Sequence, residues 1–117
     1  MSYKIQDDSL EFSIAIVAFC KSLDNNKEYI VSKQLLRSAT SIWANIREAK
    51  FASTDKDYIH KLRISLREAN ETCYRLKLII KSVITADINE ATKLHNWSNK
   101  ITWTLVNIIN SKLRNMR

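Results

Sequence analysis

The sequence predicts an all-α protein, an up-down-up-down antiparallel four-helix bundle, on three observations. None of the 117 residues is glycine or proline, where average usage would supply about 8 and 6. Those two residues punctuate strands, hairpins and tight turns, so a chain without them is built of long helices joined by short Asn, Asp, Ser and Thr loops. Apolar residues recur at alternating steps of three and four in four segments. The breaks between segments are short, which makes consecutive helices antiparallel neighbours.

The first helix is expected over about residues 8–24. Phe12, Ile16, Phe19 and Leu23 form one stripe with Leu10, Ile14 and Val17 beside it. That is wider than a single seam needs, so this helix should bury two faces. Asp24, Asn25, Asn26 and Lys27 then make a polar break. An asparagine there is expected in the left-handed conformation that glycine would otherwise supply. The second helix, about residues 28–51, has Leu35, Ala39, Ile42, Ile46 and Ala49 as its core stripe, flanked by Leu36 and Trp43. Thr54 with Asp57 resembles a capping box. It opens a third helix over about residues 55–85, with the stripe Tyr58, Leu62, Leu66, Ala69, Cys73, Leu76, Ile80 and Val83. Asp87 with Glu90 marks the fourth start, and the helix runs over about residues 88–115 with Leu94, Ile101, Leu105 and Ile108 inward. No repeat or compositional break divides the chain, and residues 1–117 read as one domain with one core.

Nineteen Lys and Arg against 12 Asp and Glu leave a net charge of +7 and a pI near 9.6. That balance suits a polyanionic partner such as RNA, DNA or an anionic membrane surface, and it equally suits plain solubility. The longest apolar run, Ile14 to Cys20, falls far short of the ~20 residues that span a bilayer. Asp7, Asp8 and Glu11 precede it, the wrong charge for a secretory leader, so a cytoplasmic protein without a membrane partner is expected. Cys20 and Cys73 lie far apart among apolar neighbours and resemble no disulfide framework or zinc knuckle.

Catalytic patterns are missing. Di-iron bundles need Glu-x-x-His pairs, whereas this chain offers only Asp57 with His60 and Glu68 with Glu71, and His95 has no carboxylate three residues before it. Two histidines and no glycine give no support to a Ser-His-Asp site or a phosphate-cradling loop. No enzyme activity, metal or cofactor is expected.

Two polar registers remain. On the second helix Gln34, Ser38, Ser41, Asn45 and Glu48 repeat the four-three rhythm. Ser and Asn are mediocre helix formers. Their alignment suggests a closely packed, hydrogen-bonded seam against another helix or subunit, the alternative being an ordinary solvated face. On the third helix Lys56, His60, Arg63, Arg67, Asn70, Tyr74, Lys77 and Lys81 form a basic ridge with an aromatic in it. Between Lys56 and Lys81 stand seven Lys and Arg against three carboxylates, a net +4. Such a ridge can track phosphates while Tyr74 stacks on a base. It can also be a solvated or subunit-facing surface, with Arg67–Glu71 and Glu71–Arg75 spaced as exposed ion pairs. Lys112, Arg114 and Arg117 add charge at the tail. Trp43, Trp97 and Trp103 either complete a wide core or form an apolar patch that another chain covers.

The run Ser32-Lys-Gln-Leu-Leu-Arg-Ser-Ala-Thr-Ser-Ile-Trp-Ala-Asn-Ile-Arg-Glu-Ala49 resembles a signature of the bacterial 23S rRNA intervening-sequence proteins, and Arg67-Glu-Ala-Asn-Glu-Thr-Cys-Tyr-Arg-Leu76 resembles their second motif. Gln34, Arg37, Ser38, Ser41, Asn45 and Glu48 match the first; Glu68, Glu71 and Tyr74 match the second. Arg75 stands where a tryptophan is common and Ala49 where many members have glycine. The resemblance, spanning about Ser32 to Leu78, implies a closed homo-oligomeric ring, a pentamer in characterised relatives. It is shared with the accessory variability proteins of diversity-generating retroelements, whose basic surface engages reverse transcriptase and nucleic acid. The partners it implies are therefore further copies of the chain, RNA or DNA, or another protein such as a reverse transcriptase. Within the motif, Arg37 is expected to pair with Glu68 or Glu71, in a polar network that fixes register or subunit contact.

Overall fold

The computed structural model describes residues 3–85 and 87–116. Its helices are α1 (Tyr3–Asn25), α2 (Tyr29–Lys50), α3 (Asp55–Lys81) and α4 (Ile88–Asn115). Each lies against its two neighbours in the cycle α1–α2–α3–α4, and among the described residues the diagonal pairs do not meet. The outcome is the expected four-helix bundle, a rod of 49 × 20 × 20 Å. Because α1 and α3 are diagonal, their outer faces look in opposite directions.

The stripes of α1 and α2 are buried as their spacing requires: Phe12, Ile16, Phe19 and Leu23 on one, Leu35, Ala39, Ile42, Ile46 and Ala49 on the other. Full burial of each large side chain contributes about 1.5–3 kcal/mol. Helix α1 begins earlier than the spacing predicts because Ile5, one heptad before Phe12, also enters the core. Its expected second buried face is not covered, however: Leu10, Ile14 and Val17 are exposed.

Helix α3 is rotated slightly from the expected stripe. Ile59 and Ile79 are buried, Tyr58, Leu66 and Ile80 are only half-buried, and Val83 lies beyond the helix, 72% exposed. The rotation brings small hydroxyl residues into the interior. Ser65 Oγ donates to the Ile42 carbonyl of α2 at 2.9 Å, and the Thr72 hydroxyl lies 2.9 Å from Ser38 Oγ. Between α1 and α2, Ser32 Oγ donates to the Cys20 carbonyl while the Cys20 thiol donates back to the Ser32 carbonyl. Burial pushes the Cys20 thiol up from its ordinary pKa, so it stays protonated and inert. These small groups let the helices approach closely with their polar atoms satisfied.

Glycine-free turns are made by two Schellman endings. After α1, Lys27 N–H donates to the Asp24 carbonyl and Glu28 N–H to the Leu23 carbonyl, with Lys27 at φ 65°. After α3, Val83 N–H reaches the Ile80 carbonyl and Ile84 N–H the Ile79 carbonyl, with Val83 at φ 52°. The left-handed position is set by its count from the helix end. It therefore falls on Lys27 rather than on Asn25 or Asn26, and on a β-branched valine for which it is strained. The expected caps form: Thr54 Oγ1 accepts from Asp57 N–H at 3.0 Å and Asp87 Oδ1 from Glu90 N–H at 3.1 Å.

Candidate nucleic-acid interface

Helix α3 turns Ile59, Leu62, Ser65, Ala69, Thr72, Cys73, Leu76 and Ile79 inward. Lys56, His60, Arg63, Arg67, Asn70, Tyr74, Lys77 and Lys81 are left on its outer side, every one of them exposed. None of Lys56, Arg63, Arg67, Lys77 or Lys81 is in an ion pair among the described residues. The carboxylates that sequence spacing pairs with this ridge are engaged elsewhere. Arg37 of α2 reaches across to Glu68 at 3.3 Å and Glu71 at 3.0 Å. Arg75 donates to Gln34 Oε1 at 2.7 Å, so the expected Arg67–Glu71 and Glu71–Arg75 pairs do not form. Exposed pairs of this kind contribute less than about 1 kcal/mol each. Their larger consequence is electrostatic, since two negative charges are withdrawn to the α2 side of α3.

The α2 register runs along the same α2–α3 boundary. Ser38 is fully buried, while Ser41 and Asn45 are half-buried. Ser41 Oγ donates to the Arg37 carbonyl at 2.8 Å and Asn45 Nδ2 to the Ser41 carbonyl at 2.9 Å. Exposed Glu48 lies 3.8 Å from Lys61 Nζ on α3. Arg37 thus meets Glu68 and Glu71 within one chain, Gln34, Ser38 and Glu48 find separate partners on α3 in Arg75, Thr72 and Lys61, and Ser41 and Asn45 are bonded along α2 itself.

Sequence reasoning overlooked the face next to the ridge. From Ala91 to Arg117 the sequence holds no aspartate or glutamate, and Lys93, Lys100 and Arg114 are exposed along α4. That acid-free run was readable without any structure. Lys112 belongs to the scaffold instead: its Nζ lies 2.9 Å from Asp55 and 5.4 Å from the centre of the Tyr58 ring. Arg117 lies outside the described residues. Lys56, His60 and Arg63 line a shallow groove closed on the α4 side by Leu113 and Met116.

The three tryptophans divide. Trp97 packs edge-on against Phe12 with ring centres 5.3 Å apart, and its Nε1 donates to Asp8. Trp43 is half-buried under the Arg47 guanidinium, whereas Trp103 is 68% exposed on α4. No group of three or more His, Cys, Asp or Glu among the described residues is placed to hold a metal. No helix is long and apolar enough to cross a membrane.

With the geometry in hand, comparison with known families is decisive. The family model of the 23S rRNA-intervening sequence protein matches residues 1–107. The chain belongs to that family. The match extends well beyond the Ser32–Leu78 stretch that carries its recognisable motifs, taking in α1 and most of α4. Among solved structures, a member of the S23 ribosomal protein family from Bacteroides thetaiotaomicron VPI-5482, of unknown function, superposes with a TM-score of 0.84. It is 48% identical, and the alignment covers 90% of this chain and 97% of that one. No curated protein matches the chain. In this 23S rRNA-intervening sequence protein the Ser32–Leu78 stretch spans α2 and most of α3, the two helices whose boundary the Arg37 pairs bridge.

Proposed function

We propose that this protein is a non-enzymatic, homo-oligomeric nucleic-acid-binding accessory factor whose contact surface is the outer face of α3. The observation that carries the reading is the row Lys56, Arg63, Arg67, Lys77 and Lys81, exposed and without ion pairs, its nearby carboxylates held by Arg37. Unpaired cations in line along a helix release counterions when they meet a phosphate backbone, the main source of affinity for nucleic acid. The family's description names an intervening sequence of 23S rRNA, which makes RNA the first nucleic acid to test and duplex DNA its comparison. Copies meet through α1, whose exposed Leu10, Ile14 and Val17 form an apolar stripe on the side facing away from α3. This leaves the basic ridge free, and a closed ring, with five the expected number, would present several ridges to one RNA. Avidity then multiplies a weak single contact.

The test compares wild type with an Arg63→Glu, Arg67→Glu, Lys77→Glu variant in titrations against structured RNA and duplex DNA. Loss of RNA binding by a variant of unchanged helicity and mass supports the reading. Retained binding sinks it. A second reading, a protein adaptor whose cations only solubilise it, draws on the same exposed α1 stripe; cross-linking in cells that captures another protein on α1 would favour it.

A further inference from the structure

The acid-free outer face of α4 carries something phosphate tracking does not require. Trp103 stands 68% exposed on it, and Tyr74 on the adjacent α3 is 62% exposed. The two are at one height of the bundle. Cys73, next to Tyr74, lies with its Sγ 3.0 Å from Ser98 Oγ, 3.3 Å from Asn99 Oδ1 and 3.7 Å from Thr102 Oγ1, the last next to Trp103. On α4, Trp103 is flanked one turn away by Asn99 and Asn107 and two turns away by Asn96 and Asn110, all exposed. Lys77 lies one turn from Tyr74 on α3, whereas Lys100, on the turn before Trp103, lines a groove with Asp7, Asp8 and Glu11 of α1.

Folding does not account for this arrangement. The core already has its tryptophan in Trp97, packed on Phe12. An exposed indole contributes little to burial, and asparagine is a poor choice for a purely solvated helix face. An aromatic ring edged by side-chain amides, with no carboxylate on its own helix from Ala91 onward and the acids of α1 confined to the flank away from α3, matches a different need. The ring offers a stacking surface, each amide offers both a donor and an acceptor, and Lys77 with the α3 cations attracts phosphate. A duplex keeps its bases stacked on one another and cannot use the ring.

We propose that the α3–α4 surface takes single-stranded nucleic acid, with unpaired bases stacked on Trp103 and Tyr74, the amides of Asn99 and Asn107 at base edges, and the phosphates along the α3 cations. The proposal rests on the nucleic-acid reading of the α3 ridge and narrows it to unpaired strands. A stacked base is worth about 1–3 kcal/mol. Losing one ring should therefore weaken binding on the order of tenfold while leaving the salt dependence alone, because no phosphate contact is lost.

The experiment titrates full-length wild type, Trp103→Ala, Trp103→Phe and Tyr74→Ala/Trp103→Ala against a labelled single-stranded uridine-rich RNA and a fully paired RNA duplex. Molecular mass and helicity are measured alongside. Expected are tighter binding of the single strand by wild type, a loss for Trp103→Ala that Phe largely restores, a deeper loss in the double variant, and unchanged duplex binding. Unchanged single-strand affinity in the double variant, or an equal loss for duplex, overturns the proposal. A changed mass for Trp103→Ala also overturns it, and would assign the α4 face to a second copy of the chain. Wild type that binds neither RNA overturns the reading of the ridge as well. Binding that depends on Arg63, Arg67 and Lys77 but ignores Trp103 leaves that reading standing and removes only this one.

Discussion

The outer faces of α1 and α3 look away from each other across the bundle, and they are made of opposite materials. Helix α1 shows Leu10, Ile14 and Val17 with Asp7 and Glu11; α3 shows Lys56, Arg63, Arg67, Lys77 and Lys81 with Tyr74. Inside the bundle the two helices are alike, each burying a stripe of four-three spacing. The core therefore explains why both are helices and says nothing about why their backs differ. An apolar back favours exclusion of water by another protein surface. A cationic back whose neighbouring glutamates are held by another helix favours a polyanion. Arg37 sharpens the contrast by holding Glu68 and Glu71 toward α2.

The comparison breaks most sharply under charge reversal. Arg63→Glu, Arg67→Glu, Lys77→Glu should cost more than about 100-fold in RNA affinity at moderate salt, read by fluorescence anisotropy. Asp7→Lys with Glu11→Lys on α1 should leave RNA binding intact or slightly tighter. Equal effects from the two faces would dissolve the distinction. Next in size is Ile14→Glu. Taking an apolar side chain out of an interface forfeits about 1.5–3 kcal/mol, so light scattering should show a smaller particle while a single chain keeps its helicity. An unchanged mass would move self-association away from α1.

How much of this was legible in the sequence depends on what kind of atom carries it. Phe12 to Leu23 and Leu35 to Ala49 could be placed because apolar spacing alone decides which way they point. Apolar spacing alone runs the α3 stripe through Ile80 and Val83, because hydroxyls do not register as core. Ser65 and Thr72 are buried all the same, bonded to the Ile42 carbonyl and to Ser38. Their burial turns the helix toward Ile59 and Ile79. The basic ridge was visible from spacing; the release of its cations from Glu71 was not, since that depends on Arg37 arriving from α2. The Asn-rich face around Trp103 carries neither charge nor an apolar stripe, so its spacing alone does not set it apart from an ordinary solvated surface.

Two smaller effects serve as controls that remove neither a ridge cation nor an apolar residue of the α1 stripe. Val83, left-handed at φ 52°, carries a conformational cost of about 1–2 kcal/mol that glycine would not. Val83→Gly should therefore raise the melting temperature by a few degrees, offset in part by the greater freedom of glycine when unfolded, with RNA affinity unmoved. A lowered melting temperature would mean that the exposed Val83 side chain contributes more than its backbone costs. Smallest is the pH response of His95. Burial, with neighbouring Lys77 adding to it, holds the imidazole below its ordinary pKa of 6.5. As pH falls below that value, the unfolded chain takes up a proton that the folded chain resists. Stability therefore declines there and levels off once the folded imidazole is protonated too. Melting curves of wild type and His95→Gln at pH 7.5 and 5.5 should show a larger acid loss in wild type, and equal losses would place the sensitivity elsewhere.

The central claim is that α3 presents a phosphate-binding face, and the salt dependence of RNA binding tests it most directly. Wild-type protein, stripped of nucleic acid, is titrated with structured RNA at several salt concentrations, beside the Arg63→Glu, Arg67→Glu, Lys77→Glu variant. The account predicts a log–log slope of several units for wild type and one shallower by at least about two units for the variant. Identical slopes, or wild-type binding that vanishes near physiological salt, would mean that the +7 charge only keeps the protein in solution.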